Sequence, residues 1–140
     1  MNILLAVDGS DYTQKMLDYL AAHSALFSNS NQYTVFTAHP SLPPRVRSAV
    51  GSEAVTSYYA EEVEKVLDPV CKFLRSHDID AKSEWKAGPV GETISDFANA
   101  GKFDLIVMGS HGHSALANLV MGSVTTQVLA HSTIPVLVVR

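Results

Sequence analysis

Four short apolar runs decide most of what this chain can become. They are "NILLAV" (2–7), "YTVFTA" (33–38), "DLIVMG" (104–109) and "PVLVV" (135–139). None shows the strict apolar–polar alternation of a strand with one wet face. A strand that is apolar throughout is buried on both faces, which is the condition of a parallel sheet covered by helices. The sequence between these runs has helical spacing. Met16, Leu17, Leu20, Ala21 and Phe27 fall on one helical face. From about Ala54 to Ser76 an apolar stripe recurs at Tyr59, Val63, Val66, Leu67, Val70, Phe73 and Leu74, with Pro69 expected to kink or locally break it.

A fifth, weaker strand is read in "DIDAKSEWKAG" (78–88). Its polar half predicts an edge position, with Ile79, Ala81, Ser83 and Trp85 on one side. "GPVGETISDFANA" (88–100) is a short helix opened by Pro89, and a last helix runs from near Val124 to His131. Strand and helix alternate five times. This predicts one α/β domain over residues 1–140, a doubly wound parallel sheet with helices on both faces. The segment His39 to Glu53, rich in Pro, Ser and Gly, is expected to be a mobile connection without regular structure. The apolar last strand invites pairing with a second copy of the chain.

Composition limits the function classes. Of 140 residues, 46% are hydrophobic and 17% charged, which suits a packed core. The net charge of -4 gives no support for nucleic-acid or anionic-membrane partners. A lone cysteine, Cys71, allows no intramolecular disulfide, and burial beside the apolar stripe is its expected fate. The first residues lack a basic n-region, and no apolar run approaches a membrane span, so a cytoplasmic protein is expected.

The chemistry concentrates in "MGSHGHSALANLVMGS" (108–123), between a buried strand and a helix start. In doubly wound sheets, ligands bind beyond the carboxyl ends of the strands where strand order reverses. Asp8 follows the first strand and Gly109 the fourth. Gly109 and Gly112 would let main-chain N–H groups approach an anion, and Gly122 and Ser123 would open a helix whose N-terminus favours phosphate. Asp8 suits a Mg²⁺ shell or a ribose hydroxyl. Spacing alone leaves two readings open, a phosphate cradle or plain turns. There is no G-x-x-x-x-G-K-[ST] and no G-x-G-x-x-G.

With "ILLAVDGS" at the start, "KAGPVGETI" in the middle and "GSHGHSALANLVMGSVTTQVLAHSTIPVLVVR" at the end, the chain resembles the universal stress protein family over nearly its whole length. That family's nucleotide-binding members carry G-x2-G-x9-G-[ST]. Gly109, Gly112, Gly122 and Ser123 satisfy it, with nine residues from His113 to Met121 between. The resemblance implies a five-stranded sheet of order 3-2-1-4-5 and an adenine nucleotide, ATP or another, with Mg²⁺ held at Asp8. It implies Ala6, Val7 and Asp8 beside the ribose, Thr37 and Ala38 against adenine, and Met108 flanking the nucleotide. Gly109, Gly112, His113, Gly122, Ser123, Val124 and Thr125 would surround the phosphates. A homodimer through Pro135, Val136, Leu137, Val138 and Val139 is also implied. Two departures stand out: "AVD" where some ATP-binding relatives have a proline and a hydroxyl residue before the aspartate, and Ala115 where many have glycine.

These features give an ATP-dependent regulatory module acting on an unknown protein partner. The alternatives are a slow ATPase or phosphoryl-transfer enzyme, and an interaction dimer with an empty pocket. The loop has no Lys or Arg, which favours binding over turnover. His111 and His113 form H-x-H, read as imidazoles near phosphate rather than as a metal pair, since no Cys/His set surrounds them. Protonation would strengthen their hold on an anion. Arg45 and Arg47 read as solvated, Trp85 as packing, and Ser110 and Ser114 lack a base and orienting acid for a hydrolase triad.

Overall fold

The computed structural model describes residues 1–113 and 118–140. Five strands, β1 (Asn2–Ala6), β2 (Gln32–His39), β3 (Lys82–Ala87), β4 (Leu105–Gly109) and β5 (Val136–Val139), form one parallel sheet of order β3-β2-β1-β4-β5. Five helices surround it: α1 (Asp11–Ala22), α2 (Pro44–Val50), α3 (Ser52–Ser76), α4 (Val90–Ala100) and α5 (Ser123–His131). The strand order reverses at β1, which pairs with β2 on one side and β4 on the other.

The unbroken apolar runs are explained by two cores. Odd positions of β1 (Ile3, Leu5) join Val35 and Val107 beneath α1 and α3. Even positions (Leu4, Ala6) join Phe36, Ile106 and Met108 beneath α4 and α5. Successive side chains of a strand point to opposite faces, so each face needs its own apolar set. β3 is the exception, with all six residues exposed at the sheet edge, as its polar half predicted.

Three local readings are corrected. The segment 39–53 is not without regular structure: α2 forms within it, and α3 already starts at Ser52. Pro44 sits in the first turn of α2, where its fixed φ suits a helix, and Gly51 (φ 83) separates the two helices. Pro69 does not break α3, which continues through it to Ser76. Pro69 is exposed, so the carbonyl it leaves without an N–H partner faces solvent. Phe27 is buried but lies beyond the end of α1. The α3 stripe is otherwise as expected, with Tyr59, Val63, Leu67, Val70 and Leu74 buried. Cys71 is half-buried beside it, and desolvation pushes its thiol pKa up, a setting that keeps the sulfur protonated and unreactive.

α5 carries much of the candidate site, and its seat on α4 depends on one missing side chain. A Cβ at Gly91 would meet the Oε1 tip of Gln127, which could swing away, but also stand 2.6 Å from Cβ of Gln127, which could not. Gly91→Val should force the two helices apart and cost about 1–3 kcal/mol of stability by overpacking. Chemical denaturation of both proteins measures this; an unchanged midpoint would mean that α5 reseats freely.

Candidate functional site

β1 ends at Ala6, and the chain leaves it through Val7 and Asp8. One oxygen of the Asp8 carboxylate is fully engaged. Oδ1 accepts the Ser10 N–H at 2.9 Å and the Thr13 hydroxyl at 3.1 Å. Thr13 Oγ1 in turn accepts the N–H groups of Asp8 and Gly9, both at 3.2 Å. This knot closes the turn into α1 and fixes the carboxylate. Oδ2 has no hydrogen-bond partner among the described residues, and it faces Gly112, where a Cβ would come within 2.5 Å of it.

The glycine loop is knit at both ends. Ser110 N–H donates to the Val139 carbonyl and Gly122 N–H to the Ser110 carbonyl, each at 2.7 Å. Thr125 Oγ1 sits 2.9 Å from the Gly109 carbonyl and 3.2 Å from that of Ser110, with one hydroxyl proton to share. Two imidazoles complete it. His111 Nε2–H donates to the Leu119 carbonyl at 2.9 Å, and its Nδ1 accepts the Ser110 hydroxyl. His113 Nε2–H donates to the Asp8 carbonyl at 2.7 Å, tying the loop to the end of β1. Carbonyl oxygens only accept, so both Nε2 atoms carry protons, and neither is free for a metal.

A cleft of about 650 Å³ lies over the carboxyl ends of β1, β2 and β4, within the range of small-molecule sites. All thirteen residues expected around a ligand line it: Ala6, Val7 and Asp8 from β1 and its exit, Thr37 and Ala38 from β2, Met108 and Gly109 from β4, Gly112 and His113 from the loop, and Gly122, Ser123, Val124 and Thr125 at the start of α5. Gly122 is the N-cap of α5 without a side-chain cap bond, so first-turn N–H groups of the helix are left without partners. No described wall residue is Lys or Arg. Ser114 and Ala115 lie outside the described residues. Arg45 and Arg47 are exposed on α2, and Trp85 packs against Tyr59 at 5.7 Å between ring centres.

The sequence reading missed part of the wall. Thr13 looked like any helix hydroxyl. Glu62 and Val66 bring α3 to the cleft, and His39, Pro40, Val90, Ile94 and Leu119 also line it. The α3 pair had a signal: Glu62 stands four residues before Val66, on the same helical face as the apolar stripe.

The model of the universal stress protein family matches residues 1–140. The chain belongs to the universal stress protein family. It is 32% identical over 138 residues to universal stress protein Slr1230 of Synechocystis, covering 99% of this chain and 42% of that one. It is 30% identical over 139 residues to MJ0531 of Methanocaldococcus jannaschii, covering 99% and 81%. The chain therefore spans about two fifths of the length of the first relative. The solved structure of MJ0577, another universal stress protein of M. jannaschii, superposes with a TM-score of 0.80 at 25% identity, covering 99% of this chain and 94% of that one. The universal stress protein of Archaeoglobus fulgidus in complex with dAMP superposes at 0.64 with 22% identity, covering 100% and 98%; that likeness is one of fold.

Proposed function

We propose that this universal stress protein binds an adenine nucleotide, ATP being the fullest fit to the motif, in the cleft above β1 and β4. It would act in the cytoplasm as a nucleotide-dependent regulatory module rather than a fast enzyme. The observation that carries the reading is the juxtaposition of Asp8 Oδ2, Gly112 and the uncapped N-terminus of α5 in one cleft. Free N–H groups and the helix dipole suit phosphate oxygens. Gly112 lets the loop pass close to the carboxylate, where any side chain would clash with Oδ2. The dAMP held by the A. fulgidus relative supports the same class of ligand.

The residues present also fit Mg²⁺, on terms the donor set dictates. Asp8 Oδ2 is a hard oxygen donor, but no group of three His, Cys, Asp or Glu gathers among the described residues. Asp8 would therefore hold the ion together with phosphate oxygens of the ligand, the usual manner of Mg²⁺ at nucleotides. When bound, the ion supplies positive charge against the phosphates. Fast phosphoryl transfer needs cationic groups on the transferred phosphate, and the described walls offer no Lys or Arg.

The test is to denature the purified protein and identify released small molecules by mass spectrometry, with calorimetric titration of ATP and Mg²⁺ alongside. Recovery or uptake near one adenine nucleotide per chain is expected. A protein that releases none and takes up none overturns the reading in favour of an interaction dimer.

The same reading includes a homodimer through β5; the Pro135 carbonyl just before it accepts from Ile106 of β4, and the Val139 carbonyl accepts from Ser110 just past β4. Alternation along a parallel strand then leaves the main-chain groups of Val136 and Val138 facing away from β4. Val138→Pro removes an outward N–H while sparing the β4 ladder. It should yield a folded monomer by light scattering; a persistent dimer would place the interface elsewhere.

A further inference from the structure

The geometry points to His39 as a residue that selects a 6-amino purine over a 6-oxo purine, an inference that rests on the adenine-nucleotide reading of the cleft. His39 is the last residue of β2 and lines the cleft beside Thr37 and Ala38. β2 lies two strand spacings from β4, about 10 Å. With phosphates at the glycine loop, the sugar and base bridge that span, and the base edge comes to the end of β2.

The tautomer of His39 follows from its neighbour. Nδ1 stands 2.8 Å from the Pro40 carbonyl, which can only accept, so Nδ1 carries the proton. The neutral ring then has a lone pair on Nε2, and Nε2 has no partner among the described residues. The ring is also held in orientation. It packs edge-on against Tyr58 (5.7 Å, 90°) and Tyr59 (5.5 Å, 72°), and Tyr59 is itself pinned where its hydroxyl accepts the Leu42 N–H at 2.7 Å. The main-chain carbonyl of His39 is occupied by Gly88 N–H. The imidazole therefore carries one fixed acceptor, on a residue that lines the cleft beside the expected base. An exocyclic amine donates to it; a carbonyl at the same place sets lone pair against lone pair.

The experiment is calorimetric titration of the intact protein with ATP and with ITP, which differ at the purine 6-position, in wild type, His39→Phe and His39→Gln. Wild type is expected to favour ATP roughly tenfold, the scale of one satisfied against one opposed hydrogen bond. His39→Phe keeps the aromatic packing but not the acceptor, and should bring the two affinities within about threefold by weakening ATP. His39→Gln restores an acceptor oxygen and should recover part of the preference. A preference unchanged in His39→Phe, an equal weakening of both nucleotides, or a wild type that binds both alike overturns the role of His39 while leaving the cleft reading intact. A wild type that binds neither overturns the cleft reading itself.

Discussion

Gly112→Val should lower adenine-nucleotide affinity at least about a hundredfold, near 3 kcal/mol, and leave the domain folded. The added Cβ would lie 2.5 Å from Asp8 Oδ2. The carboxylate cannot swing aside cheaply, because Oδ1 is held by the Ser10 N–H and the Thr13 hydroxyl. Valine therefore pushes loop and carboxylate apart and breaks the juxtaposition on which binding depends. Gly112 has no positive φ, and it is half-exposed in a loop, so the substitution brings neither backbone strain nor core overpacking. The clash should lower the melting temperature of the unliganded variant by several degrees without unfolding it, while titration shows a far larger loss of binding. Equal affinities would show that nucleotide binds elsewhere.

Substitution at Asp8 should divide along its two oxygens. Asp8→Ala leaves the Ser10 N–H and the Thr13 hydroxyl without their acceptor and should cost about 1–3 kcal/mol of stability, together with most nucleotide affinity. Asp8→Asn keeps an acceptor at the Oδ1 position, so its stability should stay close to wild type. It puts a neutral amide NH2 where Oδ2 stood, and affinity should fall tenfold or more (about 1.4 kcal/mol). Titration with and without chelator assigns the role. A loss seen only with Mg²⁺ makes Asp8 a metal ligand, and an equal loss in both makes it a partner of the ribose. No loss in either condition would remove Asp8 from the site.

The fold was legible because the strands are buried on both faces. Residues such as Leu4, Leu5, Val35 and Ile106 all have cores to fill, so their runs are apolar without interruption. The floor of the site was legible because it sits where strands end: Asp8 and Gly109 follow such runs directly. The wall supplied by α3 was legible only as a helical face, with Glu62 and Val66 four residues apart on it. Whether Glu62 and Val66 reach the cleft depends on how that helix docks, and one sequence does not state a docking angle. The Asp8–Thr13 knot was hidden for a related reason, since a buried threonine inside a helix reads as an indifferent polar residue. α2 was misread because Pro and Gly were counted as breakers, whereas Pro44 and Gly51 stand at its two ends, where such residues are welcome.

The two rims of the sheet are not alike. β3 presents Lys82, Glu84 and Lys86 along an exposed rim, and β5 presents Val136 to Val139. Charges on an outermost strand repel further strands, and an apolar one accepts them. A chain with a single receptive rim can take one neighbour and then has nothing left to offer. On the proposed pairing through β5, growth by this route would terminate at a pair, so raising the concentration would fill pairs and not nucleate fibres.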